Sequence, residues 1–135
     1  MRHILHIEDN EGDILLTQEA FKSTGSNPTI TVAYNGQEGI DYLKSNKPKP
    51  DIILLDINMP ILDGKEFLAI IKKDEQLKCI PIIVLTTSDA YRDINECYQL
   101  YANAYVRKSL DFSTFSKTIQ AVSDFWLQHN VQCIK

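Results

Sequence analysis

Five short apolar runs, each followed by a longer stretch of helical period, constrain this chain more than any other feature. They cover residues 3–7, 30–34, 52–55, 82–85 and 104–106. The third and fourth are apolar throughout, the pattern of parallel strands covered on both faces. The second alternates Ile-Thr-Val-Ala-Tyr, which predicts a strand with one less buried face. Between the runs, apolar residues recur every three or four positions. Ile14, Leu15, Ala20 and Phe21 mark one helix, with Asn10 as its N-cap and Gly25 as its stop. Ile40 and Leu43 mark a second, opened near Gly36. Phe67, Leu68 and Ile71 mark a third. Ile94, Cys97, Tyr98 and Tyr101 mark a fourth. Phe112, Phe115, Ile119, Val122 and Trp126 mark the fifth, with Asp111 or Ser113 as its cap. Strand then helix, five times over, predicts one α/β domain: a doubly wound, five-stranded parallel sheet with five helices and right-handed crossovers.

The 135 residues suit a single domain, and too few follow Trp126 for a second. The expected output is therefore through the domain's own surface, with no attached effector domain. Fourteen basic against eighteen acidic residues leave a net charge of −4. Residues 44–49, the densest basic stretch, are broken by Pro48 and read as a loop. Direct nucleic-acid binding is not expected of such a surface. No apolar stretch reaches the length of a membrane span, and there is no signal-peptide core. Cys79, Cys97 and Cys133 are odd in number, lack C-x-x-C spacing and sit among apolar neighbours. They read as reduced, mostly packed thiols of a cytoplasmic protein.

Ligands of open parallel sheets bind beyond the carboxyl ends of the strands. There the chain places Glu8 and Asp9 after the first run, Asp56 after the third, Thr86 after the fourth and Lys108 after the fifth. Each has an ordinary explanation alone: Glu8-Asp9-Asn10 as a helix cap, Asp56 and Thr86 as turn residues, Lys108 as a solvated surface lysine. Their convergence on one rim carries the functional reading. Close carboxylates raise one another's pKa unless a cation neutralises them. An all-oxygen set suits a hard ion, with Mg²⁺ the default. Asp56 is then a candidate nucleophile that forms an acyl phosphate, with Lys108 balancing phosphoryl oxygens and Thr86 donating to one.

These residues lie in segments that resemble the response-regulator receiver domains of CheY-like fold. The resemblance is carried by ILHIEDN at 4–10, IILLDINMPILDG at 52–64, PIIVLT at 81–86 and AYVRK at 104–108, in order along essentially the whole chain. It implies strand order 2-1-3-4-5. It implies Asp56 as the phosphorylated residue, and Mg²⁺ held by Glu8, Asp9, Asp56 and the main-chain carbonyl of Asn58. Thr86 and Tyr105 match the switch pair, and Lys108 the phosphoryl-pairing lysine. Pro60 and Gly64 match the turn after the third strand, where glycine permits close backbone approach or a positive φ. The implied partners are a sensor histidine kinase and a downstream protein target.

A narrower similarity, in EGD at 11–13, LTTS at 85–88, LDF at 110–112 and DFWL at 124–127, is to stand-alone regulators paired with phytochrome histidine kinases. Those regulators tend to form homodimers through the fourth helix, fifth strand and fifth helix, a face that here includes Tyr98, Tyr101, Phe125 and Trp126. The chain departs from the family at Ser109, where a proline joined by a cis bond usually follows the lysine, and at Thr87, where a smaller residue is usual. His6 is expected to be packed and neutral, and Arg107 to face solvent. Two rival readings stand beside the switch. A phosphorylation-independent adaptor is favoured by the missing proline and opposed by the intact acidic cluster. A phosphatase with an aspartyl-phosphate intermediate would want a second acid where Asn58 stands.

Overall fold

The computed structural model describes residues 2–132. The elements run β1 (His3–Ile7), α1 (Glu11–Lys22), β2 (Thr29–Ala33), α2 (Gly36–Lys44), β3 (Ile52–Leu55), α3 (Gly64–Ile71), β4 (Ile82–Thr86), α4 (Tyr91–Gln99), β5 (Ala104–Arg107) and α5 (Phe112–Val122). The strands form one parallel sheet in the order β2-β1-β3-β4-β5. The doubly wound fold expected from the alternation is the fold observed.

Alternate side chains of each strand enter opposite layers. Leu5, Ile7, Ile53, Leu55 and Val84 pack with Ile40, Leu43, Phe67, Leu68, Ile71 and Cys97 of α2, α3 and α4. Ile4, Ile52, Leu54, Ile83 and Leu85 pack with Ala20, Phe21, Phe115, Ile119 and Val122 of α1 and α5. The wholly apolar β3 and β4 are buried along their length, while β2, at an edge, is only half-buried. The register aligns the strand ends. Ile7 faces Leu55, Leu55 faces Val84 and Thr86 faces Arg107, so the residues just beyond share one rim.

Side-chain caps start most helices. Asn10, Asn35, Asp63 and Asp111 each accept from the backbone N–H three residues on, and Asp63 with Glu66 completes a capping box. Asp111 rather than Ser113 therefore caps α5. Helix α1 stops at Lys22, and Gly25, at φ +78°, lies beyond its last turn. Two sequence expectations shift, one at the C-terminal side and one before β4. Past Val122 the helix widens into a π-helical segment, Ser123–His129, closed by an Asn130 N–H to Phe125 carbonyl bond of 2.6 Å. The looser winding carries Leu127, not Trp126, into the core; Trp126 is only partly buried. Cys79 is exposed rather than packed, because it lies in the loop before β4; Cys97 is buried, and Cys133 lies outside the described residues.

The loop between β3 and α3 holds one strained residue. Ile61 sits at φ +70° with 80% of its surface exposed. A β-branched side chain is costly there and makes no compensating burial. Replacing it by Asn, which tolerates this region, is expected to raise stability by about 1 kcal/mol. A urea midpoint that stays put or falls would contradict that.

Candidate phosphoryl-acceptor site

Glu8, Asp9 and Asp56 converge at the carboxyl end of the sheet, with one carboxylate oxygen from each within 4.8 Å of the others. The register sets this meeting: Glu8 N–H donates to the Ala33 carbonyl at 2.9 Å, and Asp56 N–H to the Ile7 carbonyl at 3.0 Å. Glu8 is fully buried, Asp56 is 8% exposed and Asp9 is exposed. The Glu8-Asp9-Asn10 triplet divides its labour. Asn10 caps α1, accepting from Asp13 N–H at 2.9 Å. Glu8 and Asp9 do not cap it and are left for the rim. Three hard oxygen donors this close fit a small divalent cation. Asn58 lies exposed in the loop after β3, two residues past Asp56.

Lys108 enters from beyond β5. Its backbone N–H donates to the Thr86 carbonyl at 2.7 Å. Its ammonium, almost wholly buried, pairs with Glu8 and with Asp13, the latter at 3.0 Å. The Lys108–Ser109 peptide is trans, since no described peptide bond is cis. Lysine thus reaches the rim without the proline that usually follows it. Burial works against its charge, but the bonds to Glu8 and Asp13 outweigh that and raise its pKa. Burial pushes the Glu8 carboxyl up to about 7, helped by the Asp56 charge and opposed by Lys108.

Thr86 is fully buried at the end of β4, and its hydroxyl oxygen accepts from Ser88 N–H at 3.4 Å. Half-buried Tyr105 on β5 donates its hydroxyl to the Ser88 carbonyl at 2.9 Å. Both residues of the expected switch pair therefore meet the loop between β4 and α4. Thr87, in that loop, is exposed beside Lys108 and Ser109.

Sequence reasoning missed two sets of residues here. Asp13 is one. It falls at the third position of a helix that starts one residue beyond the acidic pair, after the cap Asn10, a spacing that turns it back toward the rim. The other is a chain of contacts across α3 and α4. Ser88 Oγ donates to Asp93 at 2.6 Å, and Lys65 binds Asp93 at 2.6 Å and Glu96 at 2.8 Å. These hydrogen bonds and charges hold the Asp93 and Glu96 carboxyls below their usual range. Only tertiary structure brings Lys65 to α4, so no local pattern announces it.

Other expectations sort simply. His6 is buried, and its Nδ1 has no hydrogen-bond partner. Burial, with the Lys108 charge second, lowers its pKa to about 3, so the ring is neutral as expected. This has a pH consequence. The unfolded ring protonates near pH 6.5 and the folded one near pH 3, so the unfolded state binds more protons between them. Stability attributable to His6 is intact above that window and lost as pH falls through it. The loss is expected to reach about 3 kcal/mol by about pH 4. In urea melts, a His6→Met protein should decline less steeply with acid; equal slopes would refute this. Arg107 is exposed and reaches Asp89 at 3.3 Å. Tyr98, Tyr101 and Phe125 are 49%, 74% and 52% exposed, so these aromatics are surface rather than core.

A family model described as the response regulator receiver domain matches residues 4–120. Response regulator Rcp1 of Synechocystis sp. is 37% identical over 130 residues, covering 93% of this chain and 88% of that protein. The crystal structure of the phosphorylated cyanobacterial phytochrome response regulator RcpA superposes with a TM-score of 0.93 at 37% identity, covering 98% of this chain and 99% of that one. The crystal structure of the Mn²⁺-bound form of Rcp1 does so with a TM-score of 0.91 at 34% identity, covering 99% and 100%.

Proposed function

Because this chain belongs to the response regulator receiver domains, we propose that it is a phosphorylatable switch of two-component signalling with Asp56 as its phosphoryl acceptor. One observation carries the reading: Asp56 stands among Glu8, Asp9, Thr86 and Lys108 at a single rim. The donor is a phosphohistidine on a partner sensor histidine kinase. An Asp56 carboxylate oxygen attacks phosphorus, the P–N bond breaks, and its electron pair returns to the imidazole, which takes up a proton from water. The product is an acyl phosphate on Asp56. A carboxylate nucleophile has no proton to lose and needs no base.

Mg²⁺, held by Glu8, Asp9, Asp56 and the Asn58 main-chain carbonyl, would neutralise charge on the transferring oxygens. Lys108 supplies a further positive charge beside Asp56. The Thr86 hydroxyl turns to donate to a phosphoryl oxygen. That movement takes it from Ser88, whose carbonyl holds the Tyr105 hydroxyl. The loop and Tyr105 then move together, and the face formed by α4, β5 and α5 changes its preference for a downstream protein target. The phosphoryl group biases an equilibrium between two conformations rather than creating one. Slow hydrolysis at the same site returns the chain to its starting state, so it works as a switch and not as a turnover enzyme.

A phytochrome-type kinase is the proposed input, supported by the likeness to a phytochrome response regulator. The exposed Tyr98, Tyr101 and Phe125 support self-association through the same face. Relatives covered over 88% and 99% of their length support a single receiver domain, and the compartment proposed for it is the cytoplasm. Among the described residues, no helix is long and apolar enough to cross a membrane. Lys108 reaches the rim with Ser109 after it, which supports the switch over an adaptor. Asn58 offers no acid for a phosphatase.

The test is incubation with acetyl phosphate and Mg²⁺, read by intact mass. A switch gains one phosphoryl group and loses the gain in EDTA. No gain with Mg²⁺ present means an adaptor, and rapid consumption of acetyl phosphate without a stable adduct means a phosphatase.

A further inference from the structure

We propose that Asp13 is a positioning residue that draws the Lys108 ammonium off Glu8 when the acidic trio takes up its divalent cation. The inference rests on the switch reading above and concerns how the same rim is regulated. Glu8 has two claims on it in this structure. One oxygen pairs with Lys108 and the other accepts from Asn10 N–H at 3.2 Å. A cation bound by Glu8, Asp9 and Asp56 would meet the buried ammonium on a shared carboxylate. Like charges in a dry site repel strongly, so the lysine must give way.

Asp13 is built to receive it. It already contacts the ammonium at 3.0 Å, and it is not one of the trio whose oxygens cluster within 4.8 Å. Its main chain is fixed, with the N–H bonded to Asn10 Oδ1 at 2.9 Å and the carbonyl to Thr17 Oγ1 at 2.8 Å. Its side chain is 34% exposed, against 1% for Glu8, so Asp13 holds a charge at lower desolvation cost. The Lys108 main chain is tied to Thr86, so only the side chain has to swing. An ammonium is a compact charge on a flexible stem, suited to passing between two acceptors. With Asp13 present, the lysine keeps one partner after leaving Glu8. Without it, the ammonium is left to Asp56, whose carboxylate the cation also engages.

The experiment is calorimetric titration of Mg²⁺ into the wild type, Asp13→Asn, Lys108→Met and the double variant, with urea melts in EDTA to confirm folding. Asp13→Asn is expected to weaken Mg²⁺ binding by about fivefold. In the Lys108→Met background, where no ammonium needs moving, the same change should shift affinity by less than about twofold. Asp13→Glu, which keeps the carboxylate, should restore most of the affinity. Equal weakening in both backgrounds would overturn the proposal, because Asp13 would then act on the cation by its own charge. Unchanged affinity in Asp13→Asn would overturn it while leaving the switch reading intact. No Mg²⁺ binding by the wild type would overturn both.

Discussion

An Asp56→Asn protein is expected to take up no phosphoryl group under conditions in which the wild type takes up one. The amide has the shape of the carboxylate but no ionised oxygen to attack phosphorus. It also removes one of the three oxygens that meet within 4.8 Å. The fold should not suffer. Asp56 is anchored through its N–H to the Ile7 carbonyl, a bond the substitution leaves in place. The Asp56 charge helps raise the Glu8 carboxyl, so its removal relieves repulsion at the rim. The variant should therefore match or exceed the wild type in urea melts while gaining no mass. An equal mass gain in both proteins would place the acceptor elsewhere.

Gly64→Ala is expected to cost about 3 kcal/mol or more. A Cβ at Gly64 would lie 2.4 Å from the Asp56 carbonyl oxygen and 2.6 Å from Ile57 Cα. Both obstacles are backbone, so no side chain can swing aside. Gly64 N–H also donates to the Ile57 carbonyl at 3.1 Å, which fixes the start of α3 against the end of β3. Relief must displace the segment that carries Asp56. Phosphoryl uptake should fall together with a drop of roughly 10 °C in melting temperature. A variant within about 0.5 kcal/mol of wild type would show that the loop yields freely.

Much of this was legible in the sequence because strand and helix differ in period. Wholly apolar β3 and β4 could only be central strands, and the residue following each strand had to fall on one rim. Gly64 was marked for close approach or positive φ, and the structure decides for close approach. What stayed hidden depended on contacts between distant elements. The Lys65–Asp93–Ser88 chain has no local signature. Trp126 fitted a 3.6-residue period that the chain abandons after Val122. Cys79 has apolar neighbours in sequence, but they turn inward from a loop while the thiol does not. The choice between a cap and a cation site at Glu8-Asp9-Asn10 needed coordinates, since Asn10 caps α1 while Glu8 and Asp9 turn to the rim beside Asp56.

The widened end of α5 acts as a phase shifter. In a uniform helix, angular position is fixed by the residues that anchor it, so Phe115 and Ile119 would dictate which side every later residue takes. The loosened turn breaks that dependence, and the last stretch keeps Leu127 inward with Phe125 outward. The direction in which Phe125 is displayed is thus set by the loosened turn and by Leu127, not by the anchors upstream. Under the proposed function, the face offered to partners and the rim offered to the phosphoryl group are in that sense set by different stretches of one small domain.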